Sequence, residues 1–585
     1  MKIDRKIILA GTGLLFVGTA MAQVQQKDST LNRTVVVENQ YNPEVMDAFK
    51  VNVLPKVEEP AVAKKHIDYA TSQFPLTSYG FEPMGVITRD VKQEGARRGY
   101  LRGSYGMLNH TDVKAAYLWN VSKRDQMGVM GSFYGHSGDV EFPTGGVGSN
   151  LKDGYETNQR FFRTDVSLNY THTGKKVNFN LGGNFGSQVF NYRSSDFMLD
   201  LISVKPDGSQ FEAASRNQHF MMGEGYVGLS SVKDQLPVDF AVQLGFKGFK
   251  RMHPMGKLMG EATEKDIYAN GLVAGSLGEN QIGMGFAVNH VLYGDQNETV
   301  TADAKNPFTT EDFTLVQLNP YYAIQNENVN IRLGAHVDFQ TKVGSGLKVS
   351  PDVSIAYTFS DSYVLYAQAL GGTQLNNFHQ LNEITPYFFT PQQMRATYTV
   401  FDAQAGLKAS PVNGLGMKLY GGYRLTKDDI FILPLDCDIK DNWGFFAQLN
   451  QEKSKVFYAG LGIDYDYRDT FSFGIKGQYN NWKLGNKENI YFLALKPEFT
   501  IGANVRLKVY EGINVLADYM YEKRKKVSGE SLDAVNFLKL GAEYNYNDRL
   551  NVFVHANNLL NQSYITETGY PELGLNVVGG VSFSF

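Results

Sequence analysis

The residues of this chain that could do chemistry are its carboxylates and histidines, and the densest group is the acidic segment Asp436–Asp441. Carboxylates at Asp436, Asp438 and Asp441 are the kind of ligand that Ca²⁺ prefers. The segment lacks the turn glycine and the terminal glutamate of a calcium-binding loop, which favours a solvated acidic loop. The 10 histidines form no H-x-H or H-E-x-x-H motif and the chain has 1 cysteine, so the sequence predicts no metal site.

Other classes of site are equally hard to find in the sequence. Serine, histidine and aspartate are common in the polar segments, and their spacing leaves open whether any three of them converge as a catalytic triad. We therefore expect no catalytic residue, no cofactor and no enzyme activity. The 56 basic and 60 acidic side chains give a net charge of −4, which offers no electrostatic basis for binding nucleic acid.

The elements that carry these polar segments alternate between apolar and polar or small residues. In 459–467, leucine, isoleucine and tyrosine share one face while glycine and aspartate share the other, and 499–508 and 538–546 repeat the pattern. A soluble β-sandwich also alternates. Its strands average about 5 to 6 residues, however, whereas these run about 10 to 16 residues and gather tyrosines at their ends. The pattern therefore predicts strands that span a membrane.

The polar faces of these strands carry charges of both signs. Mixed charges predict a water-filled or polar-packed lumen rather than an ion-selective ring. The lumen-facing charges are Asp464, Asp466, Arg506, Lys508, Asp518 and Glu543.

The C-terminal segment Leu575–Phe585 alternates in the same way and ends on an aromatic residue. Hydrocarbon does not tolerate a strand with unpaired backbone groups, so a terminal strand must close its sheet. We predict that this segment closes an outer-membrane β-barrel and that Phe583 and Phe585 belong to the signal read by the barrel insertion machinery.

The N-terminal residues 1–22 have the pattern of an export signal. Lys2, Arg5 and Lys6 precede an apolar run, and the segment ends on Ala20-Met21-Ala22. No cysteine follows this cleavage site, so no lipid anchor is expected. Residues 23–98 are rich in proline and charge, which predicts an extended periplasmic segment rather than a folded domain.

The connections between the predicted strands alternate between short ones and mostly longer ones, although two of the longer class, Leu108–Thr111 and Thr341–Leu347, are short. Barrels of this class keep tight turns on the periplasmic side and long loops outside. Counting from Gly99–Met107 to Leu575–Phe585 predicts about 22 antiparallel up-and-down strands over residues 99–585, with both termini in the periplasm. Trp443–Asn450 has the composition of a strand, but a strand there would give an odd total. We therefore place it in one outer loop, Leu425–Lys455, which could hold a hairpin of its own and whose aromatic residues could pack into the lumen or onto a partner.

The segment Val552–Phe585 resembles the C-terminal signature of TonB-dependent receptors, which run from Asn-Asn-Leu-Leu-Asn through Gly-Tyr-Pro to a last strand ending in aromatic-x-Phe. The matching residues are Asn557, Asn558, Leu559, Leu560, Asn561, Tyr564, Gly569, Tyr570, Pro571, Phe583 and Phe585. A barrel of about 22 strands is also the size of that family's barrels. The resemblance implies an outer-membrane receptor for uptake of a solute or nutrient.

The chain departs from that family at its N-terminal side. Segment 33–38 looks like a Ton box, with Thr34, Val35, Val36 and Val37 as the residues that would contact TonB. Only about 60 residues separate it from the first strand, which leaves no room for the family's plug domain. A lumen of this size is plugged in known transporters. The N-terminal segment, inward-folded outer loops or a separate protein chain could close it.

Two hypotheses follow from the sequence. In the first, the barrel binds or admits a nutrient, and Val35–Val37 adds a strand to TonB. In the second, the barrel is a plugless scaffold that is sealed by a periplasmic or lipoprotein partner, which the proline-rich segment binds. The sequence names neither a substrate nor an oligomeric state.

Overall fold

The computed structural model describes residues 98–585 except 142–155, 193–216, 233–234, 254–261, 279, 295–309, 327, 360–361, 389–392, 433–446, 448, 528–531 and 568–569. The export signal, the Ton-box-like residues Thr34–Val37 and the acidic segment Asp436–Asp441 lie outside the described residues. Gly569 of the C-terminal signature also lies outside them. The predictions that concern these residues stay predictions.

Twenty-two strands form one antiparallel sheet that closes on itself, which confirms the predicted all-β transmembrane barrel. They are β1 (Gly99–Gly106), β2 (Thr111–Asn120), β3 (Asp125–Glu141), β4 (Glu156–Thr173), β5 (Val177–Asn191), β6 (Asn217–Ser231), β7 (Val238–Arg251), β8 (Thr263–Leu277), β9 (Asn280–Tyr293), β10 (Phe313–Gln325), β11 (Val329–Gln340), β12 (Gly346–Phe359), β13 (Tyr363–Gln374), β14 (Thr397–Ala409), β15 (Leu415–Ile432), β16 (Leu449–Tyr467), β17 (Phe471–Leu484), β18 (Pro497–Tyr510), β19 (Ile513–Arg524), β20 (Val535–Asn545), β21 (Leu550–Asn557) and β24 (Asn576–Ser584). The remaining two strands, β22 (Ile565–Glu567) and β23 (Tyr570–Pro571), form a small separate hairpin.

The last strand closes the barrel, as the C-terminal pattern predicts. β24 pairs with β21 on one side and with β1 on the other, where Leu101 lies opposite Phe583. The pairing continues to the end of the chain, because the backbone N–H of Phe585 donates to Gly99 O at 2.9 Å and Gly99 N–H donates to Phe585 O at 2.8 Å. The terminal strand therefore has a partner on both of its edges.

The two faces of the sheet have different chemistry. Leu168, Leu244 and Leu365 are typical of the outer face, where they are between 45% and 55% exposed, as expected for side chains that contact lipid. The inner face combines polar side chains with tyrosines that lie over glycines of the next strand. A Cβ atom at Gly245 would stand 2.4 Å from the Tyr268 ring, so this close approach requires glycine.

The connections keep the predicted pattern, including the two short links between β1 and β2 and between β11 and β12. Within the predicted outer loop Leu425–Lys455, β15 extends to Ile432 and β16 begins at Leu449, and these two residues pair as the hairpin that the sequence allowed for. The backbone hydrogen bonds continue past a bulge between Thr426 and Asp429, and the side chain of Phe431 is fully buried. Leu449 and Asn450 belong to β16, and the sheet of 22 strands confirms the even count.

Helical segments occur only in the connections of the described residues. Helix α1 (Phe378–Ile384) lies between β13 and β14, and two 3₁₀ segments cover Met107–Asn109 and Lys487–Leu493. Asn377 caps α1, because its side-chain oxygen accepts a hydrogen bond from Gln380 N–H at 3.0 Å. Among the described residues, no helix combines the length and apolar character needed to cross a bilayer.

Candidate functional site

The connection between β13 and β14, residues 375–396, folds into the lumen in its described parts, 375–388 and 393–396, and we call it the lumen loop. Its apolar residues pack on inward-facing aromatic residues of the barrel wall. Ring centroids lie 6.0 Å apart for Phe378 and Phe249, and 6.1 Å apart for Phe388 and Phe220. The lumen loop therefore shares a buried apolar cluster with strands β5 to β7 near the end of the barrel that carries the long connections.

Polar contacts fix the lumen loop to three strands of the barrel wall, β8, β5 and β4. On β8, the carboxylate of Glu264 accepts hydrogen bonds from the backbone N–H groups of Phe378 and His379 at the start of α1. On β5, the side-chain amides of Gln188 and Asn382 donate to each other at 3.0 and 3.3 Å. On β4, Arg163 forms an ion pair with Glu383 at 3.1 Å. These contacts lie across the lumen from the strands that the lumen loop joins.

Two other long connections meet the lumen loop at Tyr387 and Phe388. The ring of Tyr387 stacks on Tyr570 of the β22–β23 hairpin, with ring centroids 3.4 Å apart. The backbone N–H of Ala447 donates to Tyr387 O at 2.8 Å, and Phe388 pairs with Ala447. Segments from the connections after β13, β15 and β21 are thereby joined over one side of the lumen.

The residues of the C-terminal signature organise the connection that carries this hairpin. Asn558 is buried with φ 47°, and its side-chain N–H groups donate to Gln562 O and Leu573 O, each at 2.9 Å. Asn561 accepts a hydrogen bond from Leu575 N–H at 2.7 Å. The other members lie at the end of β21 (Asn557), in the connection (Leu559, Tyr564), on β23 (Tyr570, Pro571) and at the closing strand (Phe583, Phe585). Their use by the insertion machinery stays a prediction.

A cavity of about 370 Å³ lies under α1, against the inner face of β6 to β9. On this part of the barrel wall, inward-facing residues of adjacent strands lie opposite one another and form rows. The first row below the apolar cluster contains Glu224, Lys247 and Asp266 on β6, β7 and β8. The full lining is Glu224, Gln243, Lys247, Asp266, Tyr268, Ala269, Asn270, Ala287, Asn289, Leu375, Asn377, His379 and Gln380.

The carboxylates of this row are held by neutral donors. Glu224 accepts hydrogen bonds from the Tyr268 hydroxyl at 2.6 Å and from an adjacent-strand amide, Asn184, at 2.9 Å. Asp266 accepts from Asn289 Nδ2 with both oxygens, at 2.9 and 3.1 Å. Hydrogen bonds from uncharged hydroxyl and amide groups therefore hold both carboxylates in place.

The basic groups of the cavity are less well paired. Lys247 Nζ lies 3.8 Å from Glu224 Oε1 and 5.0 Å from the Tyr268 ring centroid. Burial, with a contribution from Lys247, lowers the pKa of His379 in the lumen loop, so this imidazole is neutral at pH 7. With His379 neutral, the charged lining consists of two carboxylates and one ammonium group.

Sequence reasoning found the character of the lumen but not this site. Charges of both signs pair on the inner wall as expected, as in Arg506–Glu543 at 3.2 Å and Lys539–Asp518 at 4.0 Å. Glu224, Lys247 and Asp266 were not singled out. Charged residues at inward positions of three consecutive strands were the signal that could have found them. The described residues contain no cluster of ligands that could hold a metal ion.

Searches with the sequence alone find no matching family model and no matching curated protein. Solved structures match the fold. A mutant of the ferric enterobactin receptor PfeA of Pseudomonas aeruginosa has a TM-score of 0.61 and 13% identity, over 85% of this chain and 82% of that chain. The FrpB iron transporter of Neisseria meningitidis has a TM-score of 0.62 and 11% identity, over 84% and 83% of the two chains. The siderophore receptor PirA of P. aeruginosa has a TM-score of 0.56 and 12% identity, over 85% and 81%.

This is the barrel fold of the TonB-dependent receptors. At 11% to 13% identity the likeness establishes the architecture of this receptor-like barrel and leaves its ligand open. Within the described residues of the receptor-like barrel, the lumen loop contacts β4 to β8, across the lumen from the two strands that it joins. The predicted lack of a full plug within residues 23–98 stays a prediction.

Proposed function

We propose that the chain is an outer-membrane receptor-like barrel that binds and admits a small polar solute. The apolar outer face and the alternation of short and long connections support this location, with the long loops outside and the N-terminus in the periplasm. The fold of siderophore and iron receptors supports a role in uptake over a role in catalysis.

The observation that carries the proposal is the polar cavity under the lumen loop. A cavity of about 370 Å³ falls within the range of small-molecule sites, about 300–1,000 Å³. The lumen loop covers it on the side of the long connections and is held by side-chain contacts that can break without unpairing any barrel strand. The lumen loop therefore acts as a gate between the outside and this cavity.

Permeation of small solutes into liposomes tests the gate. Gln374 and Thr397 already lie opposite each other on β13 and β14, so an Asn-Gly turn can replace residues 375–396 without changing the register. The control replaces 142–155 in the same way, since Glu141 and Glu156 also lie opposite each other. We expect liposomes with the lumen-loop variant to swell in small sugars and those with the control to behave as the intact chain does. Equal swelling of the two variants would contradict the proposal.

Coupling to TonB would supply the energy for uptake. We propose that Thr34–Val37 pairs with TonB by strand addition, as the sequence pattern suggests. Val36→Pro removes one backbone donor from such a strand. We expect it to abolish energised uptake while leaving barrel assembly intact, and Val36→Thr serves as the control. Unchanged growth of the Pro variant on every limiting nutrient would contradict this role.

The second candidate function is that of a scaffold sealed by a partner protein. The proline-rich composition of residues 23–98 favours it, because such a segment can fold on a periplasmic or lipoprotein partner. Purification in mild detergent followed by mass spectrometry separates the two functions. A stoichiometric protein partner supports the scaffold, and a lone barrel supports the gated receptor.

A further inference from the structure

The charged row of the cavity has hydrogen-bond donors and acceptors that no described residue uses. Glu224, Lys247 and Asp266 lie directly opposite one another on three adjacent strands, so their signs alternate along the row. Adjacent strands are about 4.8 Å apart, which sets the spacing of the three backbone positions, and the Lys247 ammonium group lies 3.8 Å from Glu224 Oε1. A positive group therefore stands between two negative groups on one wall of the cavity.

Lys247 supplies the unused hydrogen-bond donors. Its ammonium group has three N–H donors, yet within the described residues it makes no hydrogen bond, and Glu224 Oε1 is beyond hydrogen-bond distance at 3.8 Å. Nδ1 of His379, which faces the same cavity from the lumen loop, is also buried and has no hydrogen-bond partner among the described residues. A carboxylate in the cavity would accept hydrogen bonds from the ammonium group and would be favoured by its charge.

The carboxylates on either side of Lys247 supply hydrogen-bond acceptors and negative charge. Asp266 receives both of its described hydrogen bonds from one amide, Asn289, so each oxygen has a lone pair left over. With two carboxylates and one ammonium group, the cavity has an uncompensated negative charge. A ligand that brought only a carboxylate would add to this charge, whereas one that also brings an ammonium group offsets it.

We propose that this cavity binds a small zwitterion of the α-amino acid type, whose carboxylate binds Lys247 and whose ammonium group binds Asp266. An α-amino acid carries its two opposite charges on neighbouring carbon atoms, so they can pair with two wall residues that lie opposite each other on adjacent strands. The amides of Gln243, Asn270 and Gln380 line the rest of the cavity and favour a polar side chain. This inference rests on the proposed solute-binding function and names its ligand class.

The wall offers a matched control for Lys247. Lys418 lies over the Tyr420 ring at 4.8 Å, as Lys247 lies over the Tyr268 ring at 5.0 Å. Both tyrosines also stand over a glycine of the adjacent strand, Gly460 and Gly245 respectively. Lys418 lies on the opposite wall and does not line the cavity. Lys418→Gln therefore removes the same kind of lysine without touching the proposed site.

Equilibrium dialysis of the full chain in detergent, against an equimolar mixture of the twenty protein amino acids, tests the proposal. Mass spectrometry of the retained fraction identifies any bound amino acid. We expect the intact chain and Lys418→Gln to retain at least one amino acid, and Lys247→Gln and Asp266→Asn to bind it about tenfold or more weakly, since each loses a charge-assisted hydrogen bond. The N-acetyl and carboxamide derivatives of that amino acid, each with one charge removed, should bind as weakly.

Heat-modified migration on gels confirms that each variant has a folded barrel, so a loss of binding cannot come from failed assembly. The inference is overturned if the intact chain retains no amino acid, or if Lys247→Gln and Lys418→Gln retain the same amount. If dialysis fails while replacement of the lumen loop still opens the barrel to sugars, the ligand class is wrong and the gated receptor stands. If both measurements fail, both proposals fall.

Discussion

Tyr387 of the lumen loop stacks on Tyr570 of the β22–β23 hairpin with ring centroids 3.4 Å apart and ring planes within 5° of parallel. Tyr570 belongs to the Gly-Tyr-Pro of the C-terminal signature. In this chain, then, a residue of the signature also holds the loop that folds into the lumen. The stack joins two connections that the closed sheet alone would leave independent.

Breaking this stack should loosen the lumen loop. Aromatic pairs contribute about 0.5–1.5 kcal/mol beyond the area they bury. We expect Tyr570→Ala to increase hydrogen exchange at the backbone amides of residues 378–388 while leaving exchange in the barrel strands unchanged. Tyr546→Ala is the control, because Tyr546 lies in a turn and is 65% exposed. Equal exchange in the two variants would show that the stack does not hold the loop.

The contact of Tyr268 with Gly245 should make replacement of that glycine lower the stability of the barrel. A Cβ at Gly245 would stand 2.4 Å from the ring, whereas a Cβ at Gly225 would have no atom within 4 Å. Overpacking of this kind costs about 1–3 kcal/mol. We expect Gly245→Ala to unfold at lower urea concentration than the intact barrel, and Gly225→Ala to unfold within error of it. A midpoint for Gly245→Ala that matches the intact barrel would contradict the fixed position of Tyr268.

Stability of the β22–β23 region should depend on pH through Glu572. Burial raises the pKa of this carboxyl group above its ordinary value of 4.5, against a smaller lowering by its hydrogen bond with Thr566. Because the folded form holds the proton more tightly, its stabilisation is complete below about pH 4.5 and is lost as pH rises through the folded pKa. Arg524 also lowers the pKa of Glu572, and the charge of Glu572 in turn raises the pKa of Tyr564.

Hydrogen exchange of residues 564–572 as a function of pH measures this effect. After correction for the intrinsic pH dependence of exchange, we expect protection in the intact chain to fall as pH rises through the pKa of Glu572. Glu572→Gln keeps a polar group of similar shape without a titrating proton, so its protection should stay level. A parallel fall in both proteins would assign the pH dependence to another group.

Protease access to intact cells tests the sidedness of the connections. With the long connections outside, an added protease should cut within 192–216 or 433–448 and spare the turn at Tyr467–Asp469, which belongs to the short-turn end. Cleavage at Tyr467–Asp469 with protection of the long connections would invert the orientation.

The barrel could be predicted from the sequence because its signals are local. Alternation along each strand follows from lipid on one face and lumen on the other, and the pairing of Leu101 with Phe583 follows from the need to close the sheet. The bounds of the β15–β16 hairpin, in which β15 extends to Ile432, were not predicted, because alternation alone does not mark where a strand leaves the membrane and continues as a hairpin.

Inward-folded outer loops were among the predicted ways to close the lumen, but the sequence did not indicate this loop, because its partners are distant in the sequence. Gln188 and Asn382, which bond to each other, are 194 residues apart. Phe378, Leu381 and Phe388 were visible as apolar residues in a long connection, but the aromatic content of Leu425–Lys455 drew attention to that loop instead. The position of the cavity depends on where α1 meets the wall, and no spacing within one strand encodes that contact.

Single-channel recording in planar bilayers tests most directly whether the lumen loop closes the lumen. Deleting residues 51–91 removes most of the N-terminal segment, the other part of this chain that could block the pore, and costs no barrel strand. In that background, the chain with the lumen loop should conduct weakly, and replacing residues 375–396 by an Asn-Gly turn should give a large, steady conductance. The same conductance with and without the lumen loop would contradict its role as the gate.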